Sequence, residues 1–253
     1  MSASVSDFYD ELASHYHLIF EDWDRTIERQ GQALTEIIRA QWPSHRTVLD
    51  LCCGIGTQSM ALAQHGFVVT GSDLSRDAVA RAVSEAATRG LDIRFSVCDM
   101  RHARAHHGGG FDLVVSCDNA VPHLLTDQEI VLALGQMVEC LRPGGGCLLT
   151  VRDYDREPRG RNLFKPLAVA TRNGRRTAVF QIWDFEGEHY DFTMYFIEDD
   201  LATRQVRSWA SRSRYYAIGT DRLLALMRQA GFKRTQRIDG AIHQPVLVGT
   251  RPG

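Results

Sequence analysis

The run Val48-Leu-Asp-Leu-Cys-Cys-Gly-Ile-Gly-Thr57 constrains the fold more than any other part of the chain. Thr47 to Leu51 supply β-branched and aliphatic residues for a strand covered on both faces. Asp50 lies inside that strand, where a charge is costly unless it is hydrogen-bonded. Gly54 and Gly56 follow at once; lacking a Cβ, they permit a tight turn and a close approach of backbone to a ligand. From Thr57 a helical period begins with Met60, Ala61, Leu62 and Ala63. A strand, a glycine turn and a helix N-terminus together predict a nucleotide-sized pocket at the carboxyl end of a parallel sheet. The next apolar run, Phe67 to Asp73, ends in an acid 17 residues after Gly56. A carboxylate at that strand tip can accept both hydroxyls of a ribose.

The rest of the chain alternates in the same way. Strands are predicted at about 47–52, 67–73, 93–97, 111–116 and 146–153, with helices at about 57–65, 75–88 and 127–141. Leu141-Arg-Pro-Gly-Gly-Gly146 reads as a helix exit. Such alternation implies α/β architecture with helices on both faces of a doubly wound, mostly parallel, Rossmann-like sheet. A helix capped at Thr220 and two final strands, 232–238 and 244–250, complete seven strands with an antiparallel edge. Ahead of this core, residues 7–41 read as two helices separated by the aromatic stretch Tyr16 to Asp24. Residues 155–176, rich in arginine, glycine and proline, read as loop. Three β-branched and aromatic runs follow, at 177–185, 190–197 and 206–217, as an antiparallel sheet. The expected organisation is a helical lid (1–45), a core (46–154 and 218–253) and a β insertion after strand 5 (155–217).

A net charge of −2 gives no electrostatic grip for nucleic acid or an anionic membrane. The six cysteines fall in or beside predicted buried strands without a C-x-x-C spacing, and the start of the chain has no secretory pattern. Free thiols and a cytoplasmic setting are expected. His106-His107 sits in a polar loop with no neighbouring ligand set in the sequence, so no metal is expected. The aromatic-rich edge of the inserted sheet is expected to seek a second copy, making a homo-oligomer an expectation.

A dinucleotide fingerprint wants a third glycine where this chain has Ser59, which counts against a nicotinamide oxidoreductase. The form Asp50-Leu-Cys-Cys-Gly54-Ile-Gly56-Thr instead resembles the first motif of class I methyltransferases that use S-adenosylmethionine. That resemblance implies that Asp50, Gly54 and Gly56, with Cys52, hold the methionine end of the cofactor. It also implies that Asp73 and Leu74 hold the ribose side, and that Asp99 and Met100 hold the adenine. A turn cap is the other reading of Asp99. Cys117, at the tip of strand 4, completes the expected cofactor wall. Tyr16, Trp23 and Arg29 are expected as a lid over the cofactor, with simple burial of the aromatics as the alternative.

The segment Ser116-Cys-Asp-Asn119-Ala-Val-Pro-His123 should lie where the methyl group departs. His123 is a candidate for substrate contact or for packing. Arg152, at the tip of strand 5, can anchor a carboxylate bidentately or pair with Asp153 or Asp155. Taken with the tyrosine-rich leader and Arg214-Tyr215-Tyr216, these stretches are similar to the glycine and glycine/sarcosine N-methyltransferases. The resemblance implies that Asn119 and Arg152 bind a substrate carboxylate while Tyr215, and Tyr9 with it, encloses the amine. The strand-4 segment is one residue shorter than in that group and the leader differs in length, both at the pocket. A small-molecule methyl acceptor is therefore expected, glycine-like by resemblance. Alternatives are an O- or C-methyltransferase with His123 as base and a non-catalytic cofactor-binding regulator.

Overall fold

A computed structural model describes residues 4–253; the first three residues of the expected lid lie outside it. The chain runs α1 (Val5–Leu12), α2 (Trp23–Gln41), β1 (Thr47–Leu51), α3 (Thr57–Gln64), β2 (Val68–Asp73), α4 (Arg76–Thr88), β3 (Arg94–Val97), α5 (Ala103–His107), β4 (Phe111–Ser116), α6 (Asp127–Cys140) and β5 (Leu141–Thr150). There follow β6 (Leu163–Arg172), β7 (Arg175–Glu186), β8 (His189–Asp200), β9 (Gln205–Tyr216), α7 (Thr220–Gln229), β10 (Lys233–Ile238) and β11 (Val246–Thr250). Seven strands form one sheet in the order β10-β11-β5-β4-β1-β2-β3. The five strands from β1 to β5 are parallel, while β11 inserts between β5 and β10 and runs antiparallel to both. The order reverses between β1 and β4, which sets the ligand crevice at their carboxyl ends.

Strand alternation sorts the core into two layers. Leu49, Leu51, Val114, Cys147 and Leu149 pack against α6 and α7. Val48, Leu113, Val115 and Leu148 pack on the other face against Leu34, Ile38 and Trp42 of the α2 region. These positions are all essentially inaccessible to water, as expected of strands covered on both sides.

The antiparallel sheet has four strands, β6-β7-β8-β9, rather than three. Its first strand takes up much of the segment expected as loop. Pro166 lies on this edge strand beside a register shift to Ala168, a position where the missing N–H breaks no ladder. At residues 141–146 the expected helix exit is short: α6 ends at Cys140 and β5 begins at once, with Gly144 left-handed. Helix α1 lies across the opening between the sheets. Asp10 accepts from Ser75 Oγ (2.5 Å) and the Asp77 amide (3.1 Å), and Glu11 accepts from Ser211 Oγ (3.1 Å). Phe8 meets Phe192 edge to face. Among the described residues no helix is long and apolar enough to cross a membrane.

Gly146 shows how tightly the layers close. A Cβ there would collide with the Trp42 ring, which is itself buried and donates to Thr250 Oγ1. Gly146→Ala is expected to lower the unfolding free energy by about 1–3 kcal/mol. Gly135→Ala, inside α6 with open space around its Cβ, is expected to raise it by about 0.5–1 kcal/mol. Urea unfolding of the two variants checks the pair, and equal effects would contradict this packing.

Candidate active site

At the carboxyl ends of β1, β2, β3 and β4 lies a cavity of about 340 Å³, within the range of small-ligand sites. Its floor is the turn after β1. Cys52, Gly54 and Gly56 all have positive φ, at 70°, 53° and 89°, and the amides of Cys52 and Cys53 donate to the Ser72 carbonyl. The turn is held by Asp73, whose Oδ2 accepts from Gly54 N (2.8 Å) and Oδ1 from Ser75 N (2.9 Å). Asp73 is buried, and burial raises its carboxyl above the usual range. Gly56 sits so close to Ala82 and Phe95 that a Cβ would press on both.

Asp73, Leu74, Asp99, Met100, Cys52, Gly54 and Cys117 all line this cavity. The turn-cap reading of Asp99 holds. It faces the cavity, and it caps the following 3-10 turn by accepting from the Arg101 amide (2.8 Å). Burial opposes ionisation of Asp99, yet the Arg101 hydrogen bonds hold its carboxyl below the normal value. Arg101 extends to Glu129 at the rim (2.6 Å).

Four expected cofactor residues do not line the cavity: Gly56, which shapes the turn beneath it, and Asp50, Trp23 and Arg29. Asp50 shares the strand face of Val48, so it points under α3 and accepts from Ser59 Oγ at 2.6 Å. Burial there pushes its carboxyl up to about 7. Trp23 props α3 from behind. Its Nε1 donates to Thr57 Oγ1 (2.9 Å), and the guanidiniums of Arg81 and Arg89 lie over its ring. Arg29 lines a different space, described next. Of the expected lid residues, Tyr16 alone lines this cavity, joined by Ser4, Val5, Ser6 and Tyr9 from the region of α1.

A second chamber, also of about 340 Å³, lies between the core and the inserted sheet and shares Tyr9, Tyr16 and Asp118 with the first. Asn119, Arg152 and Tyr215 line it together. Asp118 and Asn119 are both left-handed, with φ of 53° and 68°, a conformation these two residue types tolerate best after glycine. The Asn119 amide is engaged: it donates to Tyr154 OH (2.7 Å) and accepts from the Arg152 backbone (2.9 Å). The Arg152 guanidinium stacks on Trp183 and approaches Glu157 at 3.4 Å, leaving its buried Nε without a partner. Neither Asp153 nor Asp155 is its partner; Asp153 pairs with Arg237 and Arg156.

At the junction of the two spaces, Tyr9 OH meets His123 Nε2 at 2.7 Å and Tyr215 OH at 3.4 Å. The His123 ring lies 4.0 Å from that of Tyr215. Burial pushes His123 down to about 3 and raises Tyr9 well above the ordinary phenol value. Asp118 was not singled out in the sequence. Its Oδ2 accepts from Gln58 Nε2 (2.7 Å), and Gln58 also donates to Gln30 Oε1 (2.6 Å). Burial raises the Asp118 carboxyl, and His243 faces it across the chamber wall. Its place in the strand-4 tip beside Asn119 was the available signal; Gln30, Gln58 and His243 belong to no motif.

Residues 48–145 match a model of the methyltransferase domain. A glycine/sarcosine N-methyltransferase of Parasynechococcus marenigrum is 31% identical over 135 residues, 53% of this chain and 47% of that protein. A ubiquinone biosynthesis O-methyltransferase of Aromatoleum aromaticum is 30% identical over 141 residues, 53% of this chain and 58% of that protein. The chain thus spans about half the length of the curated relatives it matches. Among solved structures, CalS10 with S-adenosylmethionine bound, an amino pentose methyltransferase from Micromonospora echinaspora, has a TM-score of 0.78 at 22% identity. The likeness to CalS10 covers 94% of this chain and 95% of that one. The resemblance to class I S-adenosylmethionine-dependent methyltransferases read from the first strand and turn holds.

His123 gives the site a pH signature. An exposed histidine titrates near ~6.5, so below that value the unfolded chain takes up a proton that the folded chain refuses. The contribution of the neutral imidazole is complete above about pH 6.5 and is lost as pH falls toward 3. The stability difference between wild type and His123→Asn is expected to narrow from pH 7 to pH 4, by at most about 1.4 kcal/mol per pH unit. Urea unfolding across that range measures it; a constant difference would contradict the buried, neutral state.

Proposed function

We propose that this protein transfers a methyl group from S-adenosylmethionine to the amine nitrogen of a sugar-sized, polar acceptor held in the second chamber. The observation that carries this reading is the pair of adjoining spaces that meet at Tyr9, Tyr16 and Asp118. The first suits the cofactor. Asp73 offers a carboxylate to ribose hydroxyls, Leu74 and Met100 give apolar walls with Asp99 for the base, and the left-handed turn leaves backbone bare at Gly54. When bound, the cofactor supplies a methyl already activated on a sulfonium, so the protein's contribution is mostly proximity and orientation. Aromatic faces at Tyr9 and Tyr16 and the half-buried Asp118 make the junction favourable to positive charge.

The second chamber is larger than a glycine-like acceptor requires, and its groups are not arranged as a free carboxylate fork. Arg152 is stacked and near Glu157, and the Asn119 amide is spent on Tyr154 and the Arg152 backbone. What the chamber offers is amide side chains (Gln181, Gln244), the free Arg152 Nε–H and the flat rings of Phe192 and Tyr215. Such a lining suits a ring bearing several hydroxyls and an amine. The likeness to an amino pentose methyltransferase over nearly the whole chain supports the same acceptor class.

Nitrogen is favoured over oxygen by the acid–base groups at the junction. An imidazole near 3 and a phenol well above 10 are both far from the operating pH a general base needs. An alcohol therefore finds no adequate base in His123. A protonated amine has only to lose its proton before attack, and Asp118, raised by burial, is positioned to take it.

The test is a screen with methyl-labelled cofactor over amino sugars and their nucleotide-linked forms, glycine, sarcosine and phenols. Transfer to an amino sugar is expected, with little to glycine; efficient glycine methylation or a phenol product would overturn the reading. On the best amine, Asp118→Asn is expected to lower kcat/KM by about 10²–10⁴-fold while cofactor affinity is retained. Asp73→Asn is expected to weaken cofactor binding by about tenfold or more, read by calorimetry without any acceptor.

A further inference from the structure

Folding assembles a cluster that the local sequence conceals. Cys98, immediately after β3, lies beside His106 and His107 at the end of α5. One ligand atom from each residue, the thiol sulfur and a ring nitrogen of each histidine, lies within 4.8 Å of the others. The two imidazoles stand nearly perpendicular, 4.5 Å apart at 77°. Each is oriented by a serine on a neighbouring strand: His106 Nε2 to Ser96 Oγ and His107 Nε2 to Ser72 Oγ, both at 2.9 Å. Ser72 is fully buried, so this second layer is part of the sheet rather than a surface accident.

We propose that Cys98, His106 and His107 form a binding site for a zinc-class divalent ion, and that its occupancy opposes cofactor binding. One thiolate and two imidazoles are the donor set of a borderline ion in a tetrahedral site with one position left for water. On binding, the Cys98 thiol loses its proton to solvent as the metal–sulfur bond forms, and no electron changes hands. Serine partners on the imidazoles are the outer layer such sites need. The link to the cofactor is covalent neighbourhood. Cys98 lines the cofactor cavity, its Sγ lies 3.2 Å from the Asp99 carbonyl oxygen, and Asp99 and Met100 follow it on the same wall. Drawing Cys98 toward α5 moves that wall, and any such coupling acts equally in both directions.

The experiment is a titration of the full chain with Co(II), followed by displacement with Zn(II). One equivalent is expected to produce thiolate-to-cobalt charge-transfer absorption and the intense visible bands of tetrahedral Co(II). Cys98→Ser is expected to abolish the charge transfer, and His106→Asn, at an exposed position, the tight binding. Ser96→Ala is expected to weaken binding about tenfold, an effect a chance surface site would not show. Octahedral spectra, or spectra unchanged in Cys98→Ser, would overturn the site. One equivalent of Zn(II) is expected to weaken S-adenosylmethionine binding at least tenfold in wild type and not in His106→Asn. Equal cofactor affinity with and without Zn(II) would overturn the coupling.

Discussion

Two hydrogen bonds to one carboxylate govern the geometry of this molecule. Asp73 accepts the Gly54 amide with one oxygen and the Ser75 amide with the other, tying the turn after β1 to the start of α4. The turn passes through left-handed backbone at Cys52, Gly54 and Gly56, which would not persist without such a tether. With the turn fixed, α3 begins at Thr57, where Trp23 braces it, and Asp50 reaches Ser59 beneath. The cofactor cavity is the space this arrangement leaves open at the switch point of the sheet.

The second space depends on the clasp made by α1. Asp10 binds the α4 end of the core, while Glu11 and Phe8 bind the inserted sheet. The same helix carries Tyr9 into contact with His123 and Tyr215. One short helix thus roofs the cofactor cavity, closes the chamber beside it and supplies a residue to the wall between them. The inserted sheet contributes Gln181, Phe192, Met194 and Tyr215, so the size of this chamber is set by packing between two sheets.

The core was legible in the sequence because its signals are local. Glycines after an apolar strand, an acid at the next strand tip and alternating periods each need only a few neighbouring residues. Asp50 was misjudged because its motif points to the ligand, whereas the alternation of β1 turns its side chain under α3. Trp23 lay near the cavity in the chain but was claimed by α3 and two arginines. Pro166 and the flanking arginines and glycines hid β6, since a proline on an edge strand leaves no trace in propensity. The second chamber was not legible as a shape. Its walls come from α1, α2, the strand-4 and strand-5 tips, the insertion and His243, and their meeting is purely tertiary. Cys98 and the two histidines were hidden for the same reason: the fold closes a loop that the sequence leaves open.

In the proposed reaction the two spaces, joined at Tyr9, Tyr16 and Asp118, hold the cofactor and the acceptor. The most direct measurement is a crystal structure of the protein with S-adenosylmethionine. The ribose is expected on Asp73, the base between Leu74 and Met100, and the sulfonium methyl aimed through the junction into the chamber lined by Arg152 and Tyr215. A cofactor whose methyl faces away from that chamber, or whose ribose lies off Asp73, would contradict the proposed reaction.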